Sequence, residues 1–256
     1  MSEATALLPG ATSPYLNAAG FLGYTPGQYP VPEKSPGAFV TPPISYHARK
    51  PAADRCLVET PGGFLLHSGL PNEGYAKTLR QYAGKWAGLE MPVWPHLLPK
   101  SGYECEKMVR AVEELENIGA VEIEFPADPA PALVEELLQA SLGELPVYAC
   151  VPFLSPWEQW SDLLRLYTVA GVVLSAPRGC VVHHNATVNG RLYGPALFPL
   201  LLEKLAAARE LGFPLIAGSG TFSVLQIEQA LQAGAGAIQV DAWCWQLSLP
   251  TSPSRS

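Results

Sequence analysis

Charge is scarce in this chain and basic charge scarcer still: 15% of the 256 residues are Asp, Glu, Lys or Arg, and the formal net charge is -7. No Lys or Arg cluster offsets that deficit. Without a basic surface, neither nucleic acid nor an anionic membrane is an expected partner. Cysteine is sparse too. Cys56, Cys105, Cys150, Cys180 and Cys244 form an odd set with no C-x-x-C pair, which argues against a disulfide framework and against a zinc motif and for thiols in a reducing compartment. No metal site is expected on this basis. Residues 1–10 carry no basic segment and too short an apolar run for a signal peptide, and no stretch approaches the ~18 apolar residues of a membrane span. The expectation is a cytoplasmic chain.

What is present is apolar and periodic. Apolar residues make up 48% of the chain, which suits a sheet whose strands are covered on both faces, and the length suffices for one large core. Short apolar runs at 15–19, 38–41, 93–98, 121–125, 147–151, 172–175, 215–217 and 237–240 alternate with helical patterns at 73–82, 103–118, 132–141, 156–169, 196–211 and 224–233. Eight strands separated by helices predict repeated βα units and a parallel sheet. Ser101 with Glu104, Ser155 with Glu158, and Ser223 with Gln226 have capping-box spacing. The Pro-Gly-Gly run at 61–63, flanked by apolar pairs, predicts a rim hairpin. The expected organisation is an N-terminal segment 1–13, one α/β domain over 14–246 that forms a (β/α)8 or TIM barrel, and an irregular Ser/Pro-rich tail 247–256.

The glycine-rich turns carry a family resemblance. Asn17-Ala-Ala-Gly20, Glu59-Thr-Pro-Gly-Gly63 leading into Gly69-Leu-Pro-Asn72, then Gly190-Arg-Leu-Tyr-Gly194-Pro195 and Ala233-Gly234-Ala235 occur in this order at suitable separations. Together they resemble the dihydroorotate dehydrogenases, FMN-dependent barrels of pyrimidine synthesis. The resemblance implies a flavin across the C-terminal mouth of the barrel, with Gly194, Ser219 and Gly220 at its phosphate, Gly218 and Thr221 beside them, and Gly20 on the first-strand turn. Dimers also occur in the family. A small-molecule or phosphorylated ligand, and a homodimer or protein partner, are the corresponding expectations.

Where that family is reactive, this chain is not equipped. The resemblance places a lysine at Pro42 and another at Cys150, asparagines at Leu66 and Ser175, and a loop base in the stretch that here reads Glu124-Phe-Pro-Ala-Asp128-Pro. Proline has no side-chain donor and a neutral thiol cannot support the charge on a reduced flavin. Asp241-Ala242 replaces a Gly-Thr pair that donates to phosphate, and a carboxylate there repels a phosphate dianion. Dihydroorotate oxidation is therefore in doubt, a non-catalytic binding or assembly subunit is the alternative, and no catalytic residue is assigned. Glu124, Asp128, Asp241, His183, His184, Cys150 and Cys180 are candidates for other chemistry at the rim. The simpler expectations are that Glu124 bonds a neighbouring backbone group or a rim arginine such as Arg178 or Arg191, that the segment of His183 and His184 is a surface hairpin carrying one solvent-facing histidine, and that Trp94, Trp157, Trp160, Trp243 and Trp245 pack.

Overall fold

Strands that bury both faces need helices outside and a filled interior, and a parallel sheet meets that need by closing on itself. The computed structural model, which describes residues 7–246 apart from Gln28, Pro30, Pro32, Glu33 and Ala127, has that arrangement. Tail residues 247–256 and residues 1–6 lie outside the described residues.

The eight barrel strands are Tyr15–Asn17, Phe39–Val40, Val93–Trp94 continued by His96–Leu98, Val121–Glu124, Val147–Pro152, Gly171–Ser175, Leu215–Ala217 and Ala235–Val240, the third split at Pro95, which has no N–H to give. All pairings between neighbours are parallel. Strand eight returns to strand one, with Leu16 opposite Gln239. Strand one meets strand two through a bridge between Leu16 and Ala38. The Asn17 side chain reinforces that seam: its amide donates to the Val40 carbonyl at 2.7 Å, and its oxygen accepts from the Val40 N–H at 3.0 Å.

Alternation along each strand sorts the residues. Val121, Ile123, Val147, Ala149, Val172, Leu174 and Ile238 face the helices and belong to the larger core cluster. The smaller cluster, with Leu16, Val40, Trp94, Tyr148, Val173, Ile216 and Ala237, fills the lower barrel. Trp94 and Tyr148 stack at 4.5 Å. Above this layer the inward series turns polar.

The predicted helices appear as Tyr75–Ala87, Gly102–Glu113, Pro131–Ala140, Phe198–Arg209 and Val224–Gln232. Ser101 and Ser223 cap as expected, accepting from the N–H groups of Glu104 and Gln226. The helix predicted at 156–169 is instead a 3-10 turn, Trp157–Trp160, followed by Ser161–Leu166. Ser155 does not cap it, because its hydroxyl donates to the Pro152 carbonyl at 2.7 Å. A single helical turn, Trp243–Gln246, follows strand eight.

The rim hairpin is real and larger than expected. Cys56–Thr60 and Gly63–His67 form it, and a second hairpin, Arg178–His183 with Ala186–Tyr193, joins it edge to edge in a four-stranded antiparallel sheet. The second hairpin turns at His184 and Asn185, both at positive φ, and the two histidine rings lie 4.0 Å apart on its tip. A short strand that the sequence did not signal, Ile44–Ser45, extends the pairing of strand three.

Candidate functional site

The polar layer at the barrel mouth follows from the same alternation: Trp94 is succeeded two residues on by His96, Ala120 by Glu122 and Glu124, Tyr148 by Cys150, and Ala237 by Gln239 and Asp241. His96 sits between two carboxylates, with Nδ1 2.7 Å from Glu122 Oε2 and Nε2 2.9 Å from Glu124 Oε2. Gln239 donates to the other Glu122 oxygen. Glu124 also pairs with Arg191, and with Arg178 at 3.3 Å. This bears out the expected pairing with a rim arginine, and both arginines take part.

Each charge in this layer is held by its neighbours. Burial by itself pushes the His96 imidazole down, but the bonds to Glu122 and Glu124 outweigh it and raise His96 to about 9. Burial pushes Glu124 up, yet the Arg191 guanidinium and His96 hold it well below the usual carboxylate range. Burial also raises the Cys150 thiol well above its ordinary value, with Glu122 adding to the effect. The imidazole thus lies between two carboxyl groups, beside a thiol whose proton burial holds in place.

On the far side of the mouth, Asp241 is fully buried. Its Oδ2 accepts from the Ser219 hydroxyl at 2.7 Å and from the Gly220 N–H at 3.1 Å. Burial raises this carboxyl to about 6, against the lowering effect of those two donors. Asp241 Oδ1 and Thr221 Oγ1 have no hydrogen-bond partner among the described residues. Of the two outcomes open to a carboxylate at this place, turning away or standing in the cradle, the fold takes the second.

Whether a flavin mononucleotide fits can be judged from these contacts and from the space left over. The two donors on strand seven's loop are already bound to a carboxylate. The cavity bounded by Phe21, His96, Cys150, Arg191, Tyr193 and Gln239 measures about 10 Å³, room for about one water, whereas cofactor sites run to roughly 300–1,000 Å³. Phe21 stacks edge-on against Tyr193 at 5.2 Å, and Trp245 closes on Phe21 at 4.8 Å. The residues as they stand do not fit the flavin.

The other sequence-derived residues are dispersed. Gly218 runs so close to strand six that a Cβ would lie 2.9 Å from the Leu174 carbonyl oxygen. Gly194, at φ +145, packs on the Gly62–Gly63 turn, and Gly20 is on an exposed turn after strand one. Asp128, His184 and Cys180 are exposed. Sequence reasoning missed His96, Glu122 and Gln239; the signal was the two-residue spacing of Glu122 from Glu124 and of Gln239 from Asp241, which puts each pair on one strand face.

A second space lies outside the mouth, between the antiparallel sheet and the rim. It measures about 600 Å³ and is lined by Arg49, His67, Leu70, Arg178, Cys180 and Arg191, among others. Arg49 is anchored by its Nε, which donates to the Gly69 carbonyl at 3.1 Å. No helix among the described residues is long and apolar enough to cross a membrane.

No protein-family model matches the chain. It is 26% identical over 270 residues to the dihydroorotate dehydrogenase A (fumarate) of Limosilactobacillus reuteri, covering 92% of this chain and 85% of that protein. It is 25% identical over 253 residues to the catalytic subunit of the dihydroorotate dehydrogenase B (NAD(+)) of Trichlorobacter lovleyi, covering 89% and 82%. A solved structure of DHODH from Eimeria tenella, in complex with ferulenol, matches at a TM-score of 0.67 and 12% identity over 89% of this chain and 75% of that one. The resemblance read from the glycine turns thus extends over most of the chain, and the solved structure bears out the barrel.

Proposed function

We propose that the chain is a divergent barrel of the dihydroorotate dehydrogenase lineage that has given up flavin and dihydroorotate oxidation and works as a binding protein for a small anionic ligand. The observation that carries this reading is the Asp241 carboxylate bound to Ser219 and Gly220. An internal anion satisfies the donors that an external phosphate would need. Its expulsion would require moving a buried carboxylate against two hydrogen bonds, and a phosphate bound beside it would face like-charge repulsion in a poorly solvated place.

The ligand reading rests on the arginine-lined space. Three guanidinium groups around about 600 Å³ suit a carboxylate or phosphate on a body of metabolite size, since the planar fork matches such oxygens in pairs. Arg178 and Arg191 are partly committed to Glu124. Arg49 offers its terminal nitrogens. A cytoplasmic location accords with this reading, and a homodimer or other protein partner is compatible with it.

Two measurements test the proposal. The purified protein is expected to be colourless, to take up no added FMN, and to reduce no dye with dihydroorotate; yellow protein with flavin turnover would restore the oxidoreductase reading. Thermal unfolding with millimolar inorganic phosphate, fumarate and phosphorylated metabolites in separate arms is expected to rise for at least one anion. That rise should disappear in Arg49→Ala, because ligand stabilisation follows RT ln(1 + [L]/Kd).

A further inference from the structure

We infer that His96, Glu122 and Cys150 form a site for one divalent transition-metal ion of the zinc class, set in the barrel mouth beneath the aromatic cover. One ligand atom from each of these three buried residues lies within 4.8 Å of the other two. They come from three consecutive strands. His96 is directly opposite Glu122, and Cys150 is opposite Glu124, one pleat nearer the rim. With neighbouring strands ~4.8 Å apart, inward side chains in this register converge on one point, and the approach to a ~2.0–2.3 Å metal bond is within rotamer adjustment.

Convergence on a point would mean little if the point were filled, but the cavity of about 10 Å³ is lined by these same three residues together with Ser175 and Gln239. It has the size of one ion or one water. The outer partners are also those of a metal-bound imidazole. Glu124 holds His96 Nε2 at 2.9 Å, which leaves Nδ1 for the ion, and Gln239 holds the second oxygen of Glu122. Carboxylate and amide partners of this kind fix ligand tautomer and orientation.

One nitrogen, one oxygen and one sulfur make a borderline-soft donor set, which favours zinc, cobalt or ferrous iron over magnesium or calcium. The charges balance. Two positive charges enter, the proton between His96 and Glu122 and the thiol proton of Cys150 leave to solvent, and a carboxylate and a thiolate remain opposite the ion. Three protein ligands leave a fourth position open, as in catalytic rather than structural zinc sites. Entry is from the larger space, with Arg191 and Tyr193 lining both cavities.

The test is a titration of chelator-treated full-length protein with Co(II), read by absorption. One equivalent is expected to bind, with the visible bands of a four-coordinate ion and a near-ultraviolet thiolate-to-cobalt band. Cys150→Ser should lose the near-ultraviolet band and bind at least tenfold more weakly, while Cys56→Ser, which alters a half-buried thiol on the first hairpin outside both cavities, should behave as the parent. Failure to bind one equivalent, or a thiolate band that survives in Cys150→Ser, would overturn the site. Should Cys150→Ser not fold, X-ray absorption of the Co(II)-loaded parent protein decides the matter: a shell with one sulfur and an imidazole upholds the assignment, and a shell of oxygen and nitrogen alone refutes it.

Discussion

At the residue scale, Asp241 ties the stability of the fold to a single buried carboxyl. Its carboxyl titrates at about 6 in the fold against an ordinary value of 3.8, with burial as the main cause. The folded chain therefore holds this proton more tightly than the unfolded chain does. Stability from this group is greatest below about pH 4 and falls by about 3 kcal/mol as pH rises past 6. Asp241→Asn keeps an oxygen for Ser219 and Gly220 and removes the charge. It is expected to be more stable than the parent at pH 8 by up to about 3 kcal/mol, with no advantage at pH 4, as measured by urea unfolding at the two pH values. The sequence showed Asp241 to be out of place for a phosphate site, because a charge is visible in one letter. It did not show which way the side chain points, since that depends on Ser219 Oγ arriving at 2.7 Å from the loop after strand seven, 22 residues earlier in the chain.

At the scale of elements, the antiparallel sheet governs access to the arginine-lined space. Its two hairpins meet through a backbone contact with no room for a side chain: a Cβ on Gly194 would stand 2.3 Å from the Gly62 carbonyl oxygen, and φ there is +145. Gly194→Ala must push the two hairpins apart or strain the backbone, at a cost of roughly 1–3 kcal/mol. Hydrogen exchange is expected to quicken in Gly63–His67 and Ala186–Tyr193, while Val147–Pro152 in the barrel keeps its protection. Unchanged exchange in the hairpins would contradict the role of this contact. Each hairpin was legible separately, one from Pro-Gly-Gly and the other from the paired histidines. Their union was not, because the pairing of Leu66 with Arg191 joins segments with no common local pattern.

For the whole molecule, the closed mouth is a collective property. The Asp241 carboxylate, the His96–Glu122–Glu124–Arg191 layer and the cover of Phe21, Tyr193 and Trp245 lie together at the barrel mouth, where the resemblance places a flavin. Removing one should not reopen the rest. Asp241→Gly, which frees both donors, is accordingly expected to stay colourless after incubation with FMN. A flavin-bearing Asp241→Gly protein would mean that the carboxylate alone keeps the cofactor out, and that the other groups move aside.

The sequence by itself determined the eight strands, the helices capped by Ser101 and Ser223, and the barrel class, because these depend on local periodicity and on backbone needs that one residue declares. The expectation that Pro42 cannot serve where the resemblance places a lysine was also read from one letter, since proline has no side-chain functional group in any fold. Only the tertiary structure decided which side chains meet at the barrel mouth. His96, Glu122 and Cys150 come within reach of one another because the registers of three neighbouring strands set His96 opposite Glu122 and Cys150 one pleat nearer the rim, on the same inward face. Whether a buried charge binds a partner or repels a ligand is a question of distances of a few Å, and those are fixed by closure of the ring rather than by any run of neighbouring residues.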